Sequence, residues 1–501
     1  MIYGTRPLIP SHQIDGGTMS DSESGTPGAQ SPLSRRSVLK GLAGAAGLAV
    51  VPGALLEACS SSKKTATPPP SSAAPAATTS AAAAPSSAAA PPASTAAAAP
   101  VSSAASGGGA ATGTVTFGSN YSDAVPKAAF ASMIGGFTSA NPNAKVTINT
   151  VDHNTFQNNI NNYLQGTPDD LFTWFAGFRM RFFASQGLAT PIDDVWDKIG
   201  ANFSDAFKSA AKGDDGHYYF VPLYNYPWAV FYRKSVWAAK GYQVPTTWDA
   251  FVALQKQMQK DGLVPMAMGQ KDGWPALGTF DIINMRLNGF QFHMDLMAHK
   301  VTWNDPKVLA VFKQWTEILP YQQAGANGRI WQDAAKTLLN KQAGMYLLGS
   351  FVAQQFTAAA DLADLAFFPY PAIDPANAQD AIDAPIDGFM MSKKVKNQAG
   401  ATALLEYIGT APAEALYGKT DPSDVAAATN ADTSNYNPIQ LASAALIKNS
   451  KDIAQFLDRD TNPDFADNTV AAMIQSFFND PGAVASQLNA LEGQAKTVFT
   501  S

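Results

Sequence analysis

Residues 114–176 read TVTFGSNYSDAVPKAAFASMIGGFTSANPNAKVTINTVDHNTFQNNINNYLQGTPDDLFTWFA, and the alternation within this stretch decides the fold class. Thr114 to Phe117 reads as a strand. Val125 to Phe137 reads as a helix closed by Asn141-Pro142. Lys145 to Val151 is a second strand, Thr155 to Leu164 a helix ending before Gly166, and Asp170 to Ala176 a third strand. Asn154 sits where the second helix needs its N-cap, and its side chain suits that post, with contact to a ligand as the alternative. Strands alternating with helices of this length predict an α/β domain built on a parallel-type sheet covered on both faces.

The pattern repeats further along. Trp228 to Arg233 (WAVFYR) reads as a strand, Thr247 to Lys260 as a helix and Val264 to Met268 as a strand. Amphipathic helices follow at Asp305 to Leu319 and Trp331 to Lys341, then a strand at Gly344 to Leu348. The roughly 390 residues from Thr114 onward are too many for one ordinary core and suit two. Two α/β lobes joined by extended crossovers place a cleft between them.

On the N-terminal side the chain changes character. Arg35 and Arg36 precede Gly41 to Leu56, 16 mostly small apolar residues ending near the single cysteine, Cys59. Such a run is a signal core, short of the roughly 20 residues a spanning helix needs. The arginine pair gives the address of the twin-arginine translocase, which exports folded proteins. Leu55-Leu56-Glu57-Ala58-Cys59 resembles the lipobox of bacterial lipoproteins, with Glu57 departing from the small or apolar residue expected there. Residues 1–58 therefore read as a leader, beginning at Met1 or Met19, and Cys59 as the lipidation site. Residues 59–112 are almost wholly Ser, Ala, Pro, Thr and Gly. They have little to bury, so they read as a disordered tether between lipid and globular region. One cysteine allows no internal disulfide.

Charge and motifs exclude several classes. The net charge of −6 gives no basic face for nucleic acid. The five histidines, His12, His153, His217, His293 and His299, fall in no zinc pattern, and neither a phosphate loop nor a nucleophile elbow is present. No metal site or cofactor is expected. A glycosidase needs only two carboxylates, so that class stays open as an alternative.

Four blocks carry a resemblance: PDDLFTWFAGFRMRFFASQGLATPIDD at 168–194, GHYYFVPLYNYPWAVFYRKSVW through PTTWDAF to MGQKDGWP at 216–275, LLNKQAGMYLLGSF at 338–351 and FFPYPAID through APIDGFMMSKK at 367–394. FLDRDTNPDF at 456–465 adds a fifth. In this order they resemble the family 1 extracellular solute-binding proteins, the carbohydrate-capturing components of ABC importers. The resemblance implies a two-lobed periplasmic-binding-protein fold of type II, with the ligand cleft between lobes and three crossings. These fall near Tyr224 to Trp228, near Asp383 to Asp387, and between Asp421 and Tyr436. Lobe one then combines 114–225 with about 386–430, and lobe two combines about 226–385 with 431–501. It also implies no enzymatic activity and a monomer that binds a sugar or oligosaccharide by hinge closure. The monomer would present that sugar to the transmembrane subunits of an ABC permease while tethered on the outer face of the cytoplasmic membrane. A stand-alone surface receptor or adhesin shares fold and cleft and is a further alternative.

A sugar offers hydroxyl edges to planar donors and acceptors and C–H faces to aromatic rings. Trp274, freed from a strand by the turn residues Lys271-Asp272-Gly273, is expected to be a stacking plate, with Asp272 beside it. Tyr224 and Tyr226 alternate on an extended crossover between Pro222 and Pro227, facing the cleft or packing the hinge. Trp174 is a plate or, beside Phe172 and Phe175, a core residue. Phe351 follows Gly349-Ser350, and members of the family typically carry Trp there. Asp387, after Pro385 and before Gly388, is a carboxylate at a crossover. Arg459 is a ligand clamp or an ion-pair partner of its neighbours Asp458 and Asp460.

Overall fold

A computed structural model describes residues 111–499, so Arg35, Arg36, Cys59 and nearly all of the tether lie outside the described residues. Twelve strands are present among the described residues: β1 (Gly113–Ser119), β2 (Ala144–Thr150), β3 (Leu171–Phe175), β4 (Val221–Asn225), β5 (Trp228–Arg233), β6 (Val264–Ala267), β7 (Ala343–Gly349), β8 (Leu365–Phe368), β9 (Ala381–Asp383), β10 (Ile386–Met391), β11 (Val425–Ala426) and β12 (Asp452–Ala454). They form a six-stranded sheet in the order β11-β4-β10-β3-β1-β2, a four-stranded sheet in the order β6-β7-β5-β8, and the pair β12-β9.

The first sheet starts as its sequence predicts, with β1 parallel to both β2 and β3. It does not stay parallel: β10 runs antiparallel to β3 and β4, and β11 antiparallel to β4. In the second sheet β5 is antiparallel to β7 and β8, and only β6 and β7 are parallel. The expectation of a parallel-type sheet is therefore corrected to mixed sheets. β10 does not come from a local crossover helix. It enters from β9 on the far side, and its direction is set by where that excursion ends. Between β4 and β5 lie only Tyr226 and Pro227, and between β9 and β10 only Ala384 and Pro385. Connections this short turn no helix, so the chain passes directly from one sheet to the other.

Local sequence explains the helices that flank these strands. Ala124–Ala140 buries Pro126, Ala129, Phe130, Met133, Ile134 and Phe137, the spacing of one helical face. Phe130 meets Phe117 of β1 edge-on at 4.9 Å between ring centroids. The helix expected over 155–164 is instead two, His153–Asn158 and Ile160–Gln165. The break falls at Asn159, whose backbone leaves the helical region at φ −106° and ψ 5° while its side-chain amide joins its own N–H on the Thr155 carbonyl at 2.9 Å. The N-cap is Asp152, which accepts from the Thr155 N–H at 3.0 Å, so Asn154 is released from the capping role expected of it. The helix Pro275–Asn288 is buried without a break from Pro275 to Arg286, as a helix enclosed on all sides must be. It runs beneath the site described next.

Candidate functional site

A cavity with an empty volume of about 940 Å³, open mouth included, is lined from both sheets. The six-stranded sheet supplies Asn120 to Asp123 at the end of β1, Asp152 to Asn154 and Gln157 after β2, Tyr224 of β4, and Asp387 of β10. Trp228 of β5, Trp274, Trp331 with Gln332, and Phe351 with Gln354 come from around the four-stranded sheet. Phe456, Asp458 and Arg459 come from the C-terminal segment. The strand-end residues of β1 and β2 follow the rule that α/β sheets bind ligands outside the carboxyl ends of their strands.

One wall is aromatic. Trp228 stacks on Phe456 with centroids 4.8 Å apart and planes 29° from parallel, and Trp274 stands edge-on to Trp228 at 6.5 Å. Phe351 bridges this group, 6.0 Å from Trp274, 5.4 Å from Tyr226 and 5.1 Å from Trp331. The stack is seated by a glycine: a Cβ on Gly278 would lie 2.6 Å from the Trp228 ring and 2.7 Å from that of Phe456. The Trp274 indole N–H donates to Asn154 Oδ1 at 3.3 Å. That contact fixes the ring's rotation and explains why Asn154 is more useful here than as a cap.

Other groups of the lining are polar. Arg459 Nη1 donates to Asp387 Oδ1 at 2.5 Å, and its Nη2 to the Tyr226 hydroxyl at 2.9 Å. Its guanidinium lies 4.1 Å over the Phe175 ring. Asp387 also accepts from the Tyr224 hydroxyl at 3.2 Å. Burial raises the Asp387 carboxyl above its ordinary range, and Arg459 pulls it partly back. Asp424 is raised further, by burial and by the carboxylates of Asp421 and Asp387, which favours its protonated, hydrogen-donating form. Burial and the nearby Arg459 and Arg179 cations push His153 down to about 4, leaving it a neutral ring at physiological pH. Several groups on this surface have no hydrogen-bond partner among the described residues: Asn120 Oδ1, Trp228 Nε1, Gln332 Oε1 and Asp424 Oδ2. Buried polar atoms left this way are costly unless a ligand or water completes them.

Backbone strain marks the same place. Phe456 has φ +132°, a conformation that L side chains adopt rarely and mostly at functional sites. Two carboxylates hold it there: Asp460 Oδ2 accepts from the N–H of Gln455 at 2.7 Å and of Phe456 at 3.3 Å, and Asp281 Oδ2 accepts from Leu457 N–H at 2.7 Å.

Of the residues singled out in the sequence, Tyr224, Tyr226, Trp274, Phe351, Asp387 and Arg459 converge on this cavity. Trp174 does not: it is 1% exposed, packed against Phe175 and Phe183, with its indole N–H directed at the Arg179 carbonyl. A strand with apolar residues on both faces leaves its ring inside the core. Asp272 stands behind Asn154, outside the lining. Arg459 pairs with Asp387 at 2.5 Å and approaches Asp458 at 3.7 Å; Asp460 instead serves the backbone. Sequence reasoning missed Trp228, Trp331, Asp424, Phe456 and the Asn120 to Asp123 segment. The last was within reach, because it directly follows the first predicted strand.

The sequence profile of the family described as bacterial extracellular solute-binding protein matches residues 118–415. A solved structure of the bacterial solute receptor AcbH, described with an exclusive preference for β-D-galactopyranose, is 58% identical. The match covers 77% of this chain and 99% of that one with a TM-score of 0.76. A chitin oligosaccharide binding protein at 18% identity, covering 78% of this chain and all of its own with a TM-score of 0.70, shares the fold. In sequence, an ABC transporter extracellular-binding protein of Pyrococcus horikoshii is 24% identical over 323 residues, 63% of this chain and 71% of its own length. A probable sugar-binding periplasmic protein of Rhizobium meliloti is 24% identical over 188 residues, 36% of this chain and 44% of its own.

Proposed function

Since the chain belongs to the bacterial extracellular solute-binding protein family, we propose that it captures one pyranose sugar, of the β-D-galactopyranose type, for an ABC importer. The observation that carries the reading is the cavity itself, whose lining combines aromatic rings with carboxylates, amides and a guanidinium. Aromatic rings suit the C–H face of a pyranose, and the charged and amide groups suit its hydroxyls. The 58% identity to a receptor described as selective for galactopyranose supports that sugar over a longer one. Tyr224, Tyr226, Trp274, Phe351, Asp387 and Arg459 are the proposed contacts, joined by Trp228, Asp424 and Phe456. Trp174 and Asp272 support the wall from behind.

The family works outside the cytoplasm. The finer reading is export by the twin-arginine route through Arg35 and Arg36, lipidation at Cys59, and a monomer tethered beside permease subunits. We divide the lobes as 114–225 with about 386–430 and about 226–385 with 431–501. Ligand must contact both to favour a closed state. Binding without catalysis is the reading that the family supports. Titration calorimetry with D-galactose, D-glucose and maltose tests it: D-galactose is expected to bind, with D-glucose, differing in one hydroxyl, far weaker. A site built to hydrogen-bond a hydroxyl rejects an analogue that misplaces it. Absence of heat with all three would overturn the reading.

A further inference from the structure

Arg179 lies outside the cavity and is one of the most deeply buried charges in the protein, its side chain 1% exposed. It opens the helix Phe178–Ser185 just after β3. Its Nη1 donates to Asp458 Oδ2 at 2.7 Å and its Nη2 to Asp467 Oδ2 at 2.6 Å. Both carboxylates belong to the C-terminal segment. One residue on, Arg459 reaches the other way, to Asp387 of β10. The two arginines thus reach in opposite directions around a shared plate, with their Cζ atoms 4.1 Å (Arg459) and 5.3 Å (Arg179) from the Phe175 ring centroid. Trp174 lies 5.1 Å under Arg179, which gives that buried indole a task.

Asp458 is the link between them. It lines the cavity and is 6% exposed. Its Oδ2 is taken by Arg179, while its Oδ1 has no hydrogen-bond partner among the described residues and stands 3.7 Å from Arg459 Nε. A carboxylate turns about a single bond, so a pin on one oxygen fixes the direction of the other. Released from Arg179, Asp458 could turn both oxygens onto Arg459 in the bidentate geometry that arginine prefers. Arg459 would then be drawn away from Asp387 and Tyr226. Three carboxylates, Asp387, Asp458 and Asp467, share these two guanidiniums, and two of them, Asp387 and Asp458, line the cavity, where a ligand that donates hydroxyl hydrogens would use them.

We propose that Arg179 is a positioning residue for ligand capture: from behind the wall it pins Asp458, and through Asp458 it sets Arg459 and Asp387 for a polyhydroxylated ligand. This rests on the sugar reading above. Calorimetry with D-galactose, paired with melting of the free protein, tests it on the wild type, Arg179→Lys, Asp458→Asn and the double variant. Lysine keeps a cation but lacks the fork that holds two carboxylates. Arg179→Lys is expected to fold and to lose about tenfold in affinity, and to cost no further affinity once Asp458 is Asn, since coupled neighbours are not additive. Unchanged affinity in Arg179→Lys, or the same fold-loss with and without Asp458, overturns the proposal. Should Arg179→Lys not fold, Asp467→Asn removes only the outer ion pair. It is then expected to weaken D-galactose binding about threefold with Asp458 present and not in its absence, and an equal loss in both backgrounds overturns the proposal as well. No heat from the wild type is a different result: it removes the sugar reading and this proposal with it.

Discussion

Trp274 shows how much of the site was legible residue by residue. Turn residues before it, and its position after a strand, marked an indole displaced from the sheet, and it lines the cavity with its N–H on Asn154. Tyr224 and Tyr226 were legible through their flanking prolines. Trp228 was not, because in WAVFYR an indole that points into a cavity and one that points into a core read alike. Asp424 was equally silent, one aspartate among many until the fold brings it near Asp387. Replacing Trp274 with alanine is expected to weaken sugar binding by about 2 kcal/mol, as for an interfacial tryptophan anchor, and to leave the melting temperature of the free protein nearly unchanged. A lowered melting temperature at full affinity would assign the ring to packing. A second prediction concerns Asp460, whose carboxyl burial raises to about 6. Because the folded value exceeds the ordinary one, its stabilising contribution is complete at low pH and is lost as pH rises through about 6. Asp460→Asn should therefore be more stable relative to the wild type at pH 7.5 than at pH 4.5 in paired thermal melts. A difference independent of pH would contradict the shift.

At the scale of elements, periodicity located β1, β2, β3, β5, β6 and β7 but not β4, β10 or the buried helix Pro275–Asn288 beneath the site, and it did not show how the strands pair. Direction failed where a strand's partner is distant: β10 lies between β3 and β4, a placement that depends on the excursion through the other sheet. The helix over 155–164 failed for a local reason, the departure of the Asn159 backbone from helical geometry. The buried helix Pro275–Asn288 offers a test of how tightly elements seat the aromatic wall. Alanine is about 1 kcal/mol better than glycine inside a helix, so propensity alone predicts that Gly278→Ala stabilises. The Trp228–Phe456 stack leaves no space for the added methyl, so the expected outcome is a lower melting temperature and weakened D-galactose binding. A higher melting temperature with unchanged affinity would show that the stack yields.

For the whole molecule, the leader and tether are where sequence speaks alone. Arg35→Lys with Arg36→Lys is expected to strand the precursor in the cytoplasm, and Cys59→Ala to release protein into the medium or leave it unprocessed, both read by cell fractionation. Normal surface display of either would remove the corresponding signal. The order of strands in the two sheets has a consequence for biogenesis. β3 and β4 touch only through β10, so the six-stranded sheet lacks its middle until residues 386–391 have been synthesised, and its edge until 425–426. The four-stranded sheet draws on nothing later than Phe368. A nascent chain emerging from the ribosome can pair β1 with β2 and β3 early but can complete the second sheet first, while β3 and β4 wait with exposed edges, reversing the N-terminal-first order of completion usual for domains. Such a chain spends most of its translation unable to complete the sheet in which it began, and through that interval its unpaired strand edges stay open to mispairing.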